Sequence, residues 1–162
     1  MDWRPAFSLG LFLIGSGLAL AAADWTATES RPNALGERKT VVRDTSGRTV
    51  GTIVARPANA LGEVRAEVRD VSGRRVGELV TRKPNALGET RTEVRDLHGR
   101  RVGDAVSRSP NALGETRTVF RDPNGRETGR ATTRAPNALG DRKTVINGQL
   151  PLLSDPSGKA RP

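Results

Sequence analysis

From Val64 the chain reads "VRAEVRD", apolar or small side chains alternating with charged ones. A period of two sends the sets to opposite sides of an extended strand; an amphipathic helix would repeat every three to four residues. "ETRTEVRD" and "RRVGDAV", rich in Val and Thr and bounded by Gly and Pro, read as strands too. Between such segments stand "DTSG", "DVSG", "DLHG" and "DPNG". Asp first and Gly fourth suit a type I turn whose Gly takes the left-handed conformation, and Pro123 falls where that turn prefers proline. Three loop residues between Asp70 and Arg74 set a register in which Val68 opposes Val76 and Val64 opposes Val80. In the next copy Val94 opposes Val102. These valines share a face with Ala66 or Thr92, while Glu63, Arg65, Glu67 and Arg69 line the other. A one-residue slip would mix the two sets.

The hairpin recurs. Asn33, Asn59, Asn85, Asn111 and Asn137 each begin "NALG", 26 residues apart. Counting that Asn as position 1, Gly returns at 4, an acid at 5, a cation at 7 and "RD" at 11 and 12 in four copies, with "GR" at 15 and 16. Copies two and three agree at 18 of 26 positions, the mark of internal duplication. A fixed period of this kind signals units that share one continuous sheet or core. "PNALG" reads as the connector, with Leu35, Leu61, Leu87, Leu113 and Leu139 plugging the edge of the apolar face. An asparagine ladder or an Asn-capped helical turn is the alternative there.

The predicted fold is therefore all-β, with tandem 26-residue β-hairpins joined as an antiparallel meander sheet over residues 33–146. A β-solenoid would stack like charges about 4.8 Å apart at positions 7, 11 and 16 and is disfavoured for that reason. Disorder of the isolated chain is the third reading. Residues 24–162 hold only 27 Leu, Ile, Val and Phe, near the level at which chains stop folding alone. The thin Val face needs covering by sheet curvature, a second copy or a partner.

The ends depart from the repeat. Residues 1–23 combine Arg4, an uncharged run from Ala6 to Ala23 and a small-residue exit at "AAADW", the pattern of a cleaved secretory signal peptide. After cleavage no membrane-spanning stretch is expected, and the setting is secreted or periplasmic. Residues 24–32 read as a flexible leader. The fifth copy breaks into "INGQLPLL", so residues 147–162 read as a divergent cap or tail.

Charge decides what partners to consider. Residues 24–162 carry 26 Lys and Arg against 17 Asp and Glu, which favours anionic polymers such as lipopolysaccharide and acidic polysaccharides. The candidate anion-binding face is the pair of cation columns, Arg43, Arg69, Arg95 and Arg121 at position 11 with Arg65, Arg91 and Arg117 at position 7. Base-specific nucleic-acid binding is not expected, because only Trp25 and Phe120 are aromatic in this part of the chain.

The stretches "EVRDVSGRRVG" from Glu67 and "VFRDPNGRETG" from Val119 resemble the YD, or Rhs-type, repeats of bacterial surface and toxin-delivery proteins. Asp70, Gly73, Arg74 and Val76 match that pattern, as do Asp122, Gly125 and Arg126, whereas Arg69 and Arg121 stand where the family has tyrosine. The resemblance spans roughly residues 33–130 and implies an extracellular β-hairpin array. Five units are too few to close the large shell of that family.

Catalytic chemistry finds little material. His98 is the single histidine, and a Ser–His–Asp site with Asp96 and Ser107 is formally available. But His98 occupies the turn position filled by Ser46, Ser72 and Asn124 in sister units. Cysteine is absent, and each unit offers one turn aspartate (Asp44, Asp70, Asp96, Asp122) without clustered oxygens, so no metal or other cofactor is expected. The expectation is a non-catalytic structural or binding module that contacts an anionic envelope polymer through its arginine face. The alternative is pairing with another protein, or with a second copy as a homo-oligomer, through the Val face and sheet edges.

Overall fold

Every corner of the chain is built the same way. In each Asp-x-x-Gly and each Asn-Ala-Leu-Gly, the first residue's side-chain oxygen accepts two backbone N–H bonds: Ser72 N and Arg74 N reach Asp70 Oδ1 at 2.9 Å, and Leu35 N and Glu37 N reach Asn33 Oδ1 at 2.9 Å. The Gly N–H then closes onto the first residue's carbonyl, as from Gly73 to Asp70 at 3.0 Å and from Gly36 to Asn33 at 2.9 Å. That geometry holds the glycine at positive φ, +80° at Gly73 and +75° at Gly36, where a Cβ would be strained. The connector expected of NALG is thus a second hairpin corner, identical to the first. Its leucines do not plug an apolar edge. They are 62–81 % exposed, because the third corner residue points away from both strands.

The computed structural model describes residues 24–148 and Leu152; the expected signal peptide, and the tail beyond Gly148 apart from Leu152, lie outside the described residues. Ten antiparallel strands follow in order: β1 (Asp24–Glu29), β2 (Arg38–Arg43), β3 (Thr49–Ala55), β4 (Val64–Asp70), β5 (Arg75–Thr81), β6 (Thr90–Asp96), β7 (Arg101–Ser107), β8 (Thr116–Arg121), β9 (Glu127–Thr133) and β10 (Arg142–Gly148). Each pairs with its neighbour in sequence, as a meander requires, and the neighbour pairing excludes a solenoid. The sheet is not open, however. β1 pairs with β10 over Asp24↔Asn147 to Glu29↔Arg142 and closes a barrel.

The stretch read as a leader makes that closure. The repeats alone supply nine strands, β2 to β10, and an odd meander would bring its first and last strands together in parallel. "DWTATE" adds the tenth, so the seam is antiparallel like every other ladder. Sheet curvature thereby covers the Val face, and both strand edges are paired.

Inside, the repeat becomes a set of layers. The five residues at position 10, Val42, Val68, Val94, Phe120 and Ile146, are all fully buried at 0 % exposure. Ala27, Ile53, Leu79, Ala105 and Ala131 form the next layer on the odd strands. Toward the Asn-Ala-Leu-Gly end lies a layer of hydroxyls that satisfy one another across ladders: Thr81–Thr92 at 2.9 Å, Ser107–Thr118 at 2.8 Å and Thr133–Thr144 at 2.8 Å. Buried Thr is tolerated there because each hydroxyl finds a partner. In the first unit Glu29 takes the equivalent inward place. It is buried and bonded to Arg38 Nη1 at 2.8 Å; burial pushes its carboxyl up, against the pull of Arg38 and Arg142.

The register expected from the corner holds for Asp70 with Arg74 and Arg69 with Arg75, then shifts. A β-bulge makes Val76 the extra residue, so Val68 opposes Gly77 and Val64 opposes Thr81. Val94 likewise opposes Gly103 rather than Val102. Val76 and Val102 still pack against the core, whereas Val80 lies opposite Arg65 on the outward side of the sheet and is buried there, 4 % exposed. Gly77 is small for a reason. A Cβ there would stand 2.5 Å from the Arg95 carbonyl oxygen and 2.5 Å from Leu152 Cδ1.

Gly77→Ala is accordingly expected to destabilise the barrel by about 1–3 kcal/mol, read as a lower urea midpoint with an unchanged m-value. Acid sensitivity should trace to the corners. Hydrogen bonds from Ser46 and Ser72 hold the carboxyls of Asp44 and Asp70 below the usual range; at Asp96 burial pushes upward but bonds from Arg100 and His98 outweigh it. Depressed carboxyls stabilise the fold above their unfolded pKa and lose that contribution as pH falls through the folded one. Stability should therefore drop below about pH 4. Replacing the three with Asn, which forms the same corner at Asn59, should keep the fold and flatten that drop in pH-dependent urea unfolding.

Candidate functional site

The outer surface of the barrel is where the charged half of the alternation goes. Charged side chains share the outward rows with Val41, Val54, Val80, Val106, Val119 and Val145, where a lipid-embedded barrel presents a continuous apolar band. Among the described residues no helix is long and apolar enough to cross a membrane. In the second and third units the outward acids Glu67, Glu78, Glu93 and Asp104 consume the cations around them. Arg69 lies 2.9 Å and Arg56 3.1 Å from Glu67, Arg65 and Arg75 lie 3.6 and 3.5 Å from Glu78, and Arg95 lies 3.2 Å from Glu93. Asp104, with its side chain 2 % exposed, is held by Arg101 and by Arg91 at 3.1 Å. Such pairs on a solvated sheet contribute little stability, but they remove the arginines as free ligands.

The fourth unit breaks this balance. One period after Glu93 stands Val119, and one period after Asp104 stands Arg130. On β8 and β9 the acids at those two places are therefore missing and Arg130 is gained, while Glu127 takes the place of Arg101, so the unit carries one acid fewer and the same number of cations. Glu127 pairs with Arg130 at 2.5 Å, which draws its carboxyl below the usual range and raises the Arg130 guanidinium. Arg117 and Arg121 have no carboxylate partner within 4.0 Å among the described residues. Asp104 faces Arg121 in the ladder, yet its carboxylate is engaged by Arg91 and Arg101.

These residues wall an open groove of about 1020 Å³ across β6 to β9. Val106 and Val119, cross-strand partners in register, lie in it, and Arg130 stands opposite Val119. Arg82, Lys83, Arg91, Arg108, Arg117, Arg121 and Arg130 supply seven cations against the two acids Glu89 and Glu127. Arg117 and Arg121, four residues apart on one strand face, are separated by about 13 Å along the strand. The groove thus sets positive charge beside the half-buried side chains of Val106 and Val119.

Three of the seven arginines expected from sequence, Arg91, Arg117 and Arg121, line this groove. Arg65, Arg69 and Arg95 are ion-paired elsewhere on the barrel, and Arg43 donates to the Gly47 carbonyl at 3.0 Å. Sequence reasoning passed over Arg130, Arg108, Arg82 and Lys83. The exchange of Glu93 and Asp104 for Val119 and Arg130 between copies three and four was the signal that would have found the site. The formal triad is not assembled. His98 sits exposed in the β6–β7 corner, with Nδ1 3.9 Å from Asp96 Oδ2, while Ser107 faces the interior at the far end of β7 and bonds Thr118. Among the described residues no group of His, Asp and Glu is arranged to hold a metal ion.

Comparison with known proteins identifies no matching family model, no matching curated protein and no matching solved structure.

Proposed function

We propose that the chain is a non-catalytic binding module that holds an anionic envelope polymer, an acidic polysaccharide or lipopolysaccharide, along the cationic groove of β6 to β9. The observation that carries this reading is that the fourth unit puts Val119 and a cation, Arg130, where the second and third units have acids; the first unit also lacks those acids, at Val41 and Thr52, but gains no cation there. Where Glu93 and Asp104 neutralise their neighbours, Val119 and Arg130 leave Arg117 and Arg121 open to a ligand. Guanidinium forks bind sulfate, phosphate and carboxylate groups in two-point fashion, and several such contacts in register raise affinity for a repeating polymer. A secreted or periplasmic setting, implied by the apolar N-terminal stretch and by the resemblance to YD/Rhs-type repeats, would supply such polymers.

The full chain titrated with dextran sulfate, polygalacturonate and lipopolysaccharide should bind with affinity that falls as salt rises. Arg117→Ser, Arg121→Ser and Arg130→Ser together should weaken binding by roughly tenfold or more, whereas the same change at Arg43, Arg69 and Arg95 should matter little. Salt-insensitive binding, or equal loss from both triple variants, would overturn the reading.

A further inference from the structure

The nine corners share one backbone, but they do not share one surface. At the third corner position the Asp-x-x-Gly turns carry Ser46, Ser72, His98 and Asn124, all polar. At that position the Asn-Ala-Leu-Gly turns carry Leu35, Leu61, Leu87, Leu113 and Leu139, each 62–81 % exposed. The hydrogen bond that the residue makes is the same in both sets: Ser46 N and Leu35 N each donate to the first residue's Oδ1 at 2.9 Å. Folding therefore gains nothing from leucine here. Single exposed leucines need no explanation, but five at one rim of a barrel do. Neighbouring turns are two strands apart, so the leucines ring the rim at intervals of roughly 10 Å or more.

The same rim is the positive pole of the molecule. The five segments that contain these turns, residues 29–39, 55–65, 81–91, 107–117 and 133–143, hold 13 Lys and Arg against 6 Asp and Glu. The rest of residues 24–148 holds 11 against 10. Nearly all of the barrel's net charge is thus at the leucine end. Each turn is preceded by an exposed arginine: Arg31, Arg56, Arg82, Arg108 and Arg134. In four of the five turns the acid at position 5 folds back on the corner asparagine, as where Asn33 Nδ2 donates to Glu37 Oε2 at 3.2 Å. Arg31, Arg82 and Arg134 have no carboxylate within 4.0 Å among the described residues, whereas Arg56 is paired with Glu67 at 3.1 Å and Arg108 lies 3.9 Å from Glu89.

From this coincidence of an apolar ring with a cationic collar we infer that the Asn-Ala-Leu-Gly end docks on an anionic lipid bilayer. The leucines enter the headgroup–acyl boundary and the arginines meet lipid phosphates. A second copy is the poorer occupant, since two such ends face to face would oppose their positive poles. The docking surface is separate from the β6–β9 groove in its apolar part, so it stands or falls independently of the polymer reading.

The chain has no cysteine, so a polarity-sensitive dye can be placed at will in the full chain. Leu113→Cys labels the leucine rim and Val71→Cys the opposite one, where β1 begins and β10 ends. Vesicles containing phosphatidylglycerol should blue-shift the dye at position 113 and leave it unchanged at 71; pure phosphatidylcholine vesicles should do neither. Changing Leu35, Leu61, Leu87 and Leu139 to Ser in the labelled protein should weaken the response on the order of a hundredfold in lipid concentration, with the circular dichroism spectrum retained. The inference fails if no shift occurs, or if position 71 responds as strongly, as an N-terminal anchor would cause. It also fails if the serine variant titrates like its parent while Arg117→Ser, Arg121→Ser and Arg130→Ser abolish the response, since the groove would then be adsorbing headgroups.

Discussion

One hydrogen-bonding arrangement, repeated nine times, sets up the whole molecule: a side-chain oxygen of Asn or Asp that accepts two backbone N–H groups beyond it. Such a short polar side chain competes with regular structure by bonding its own backbone, and so it fixes corners. With the glycine that follows at positive φ, it sets the direction of every returning strand. Asp and Asn do this equally well. The difference between them shows only outside the corner, where Asp adds a titrating charge and the Asn turns carry leucine.

Closure follows from arithmetic on those corners. Repeats of two strands, of which the fifth supplies only β10 among the described residues, give an odd sheet, and β1 restores the even number that an antiparallel seam requires. The interior then has to be filled from a composition poor in large apolar residues. It is filled by pairing a bulky residue on one strand with glycine on the next, as Val68 with Gly77 and Phe120 with Gly129, and by letting hydroxyls satisfy each other where Thr stands in for Val. A sparse core suffices because the barrel leaves no sheet edge to cover.

Strands, corners and unit boundaries were legible from residues such as Val64 to Asp70, since a period of two and a turn signature are local properties. The sheet's closure was not. "DWTATE" lacks the repeat's markers, and its role appears only once the strands are counted around a ring. The bulge at Val76, which recurs at the same place in the other three Asp-x-x-Gly hairpins, was hidden because the turn signature does not fix where an extra residue falls. At the site, the cation columns were visible, but a column of arginines reads alike whether acids neutralise it or not. Arg69 and Arg121 differ through the residue two places before each, Glu67 or Val119, and through the one opposite, Arg75 or Glu127. The leucines misled for a related reason: apolar character suggested burial, while the corner geometry turns the third residue outward.

The seam between β1 and β10 is the one ladder not spanned by a corner, and it joins residues as far apart in sequence as Glu29 and Arg142. Both chain directions meet there at the same rim, with β1 entering and β10 leaving beside it. A pulling force applied at these two points would load the ladder's backbone bonds one after another from that rim, not all at once along their length. The barrel is therefore mechanically a zipper at its seam, weakest to a pull that separates the start of β1 from the end of β10.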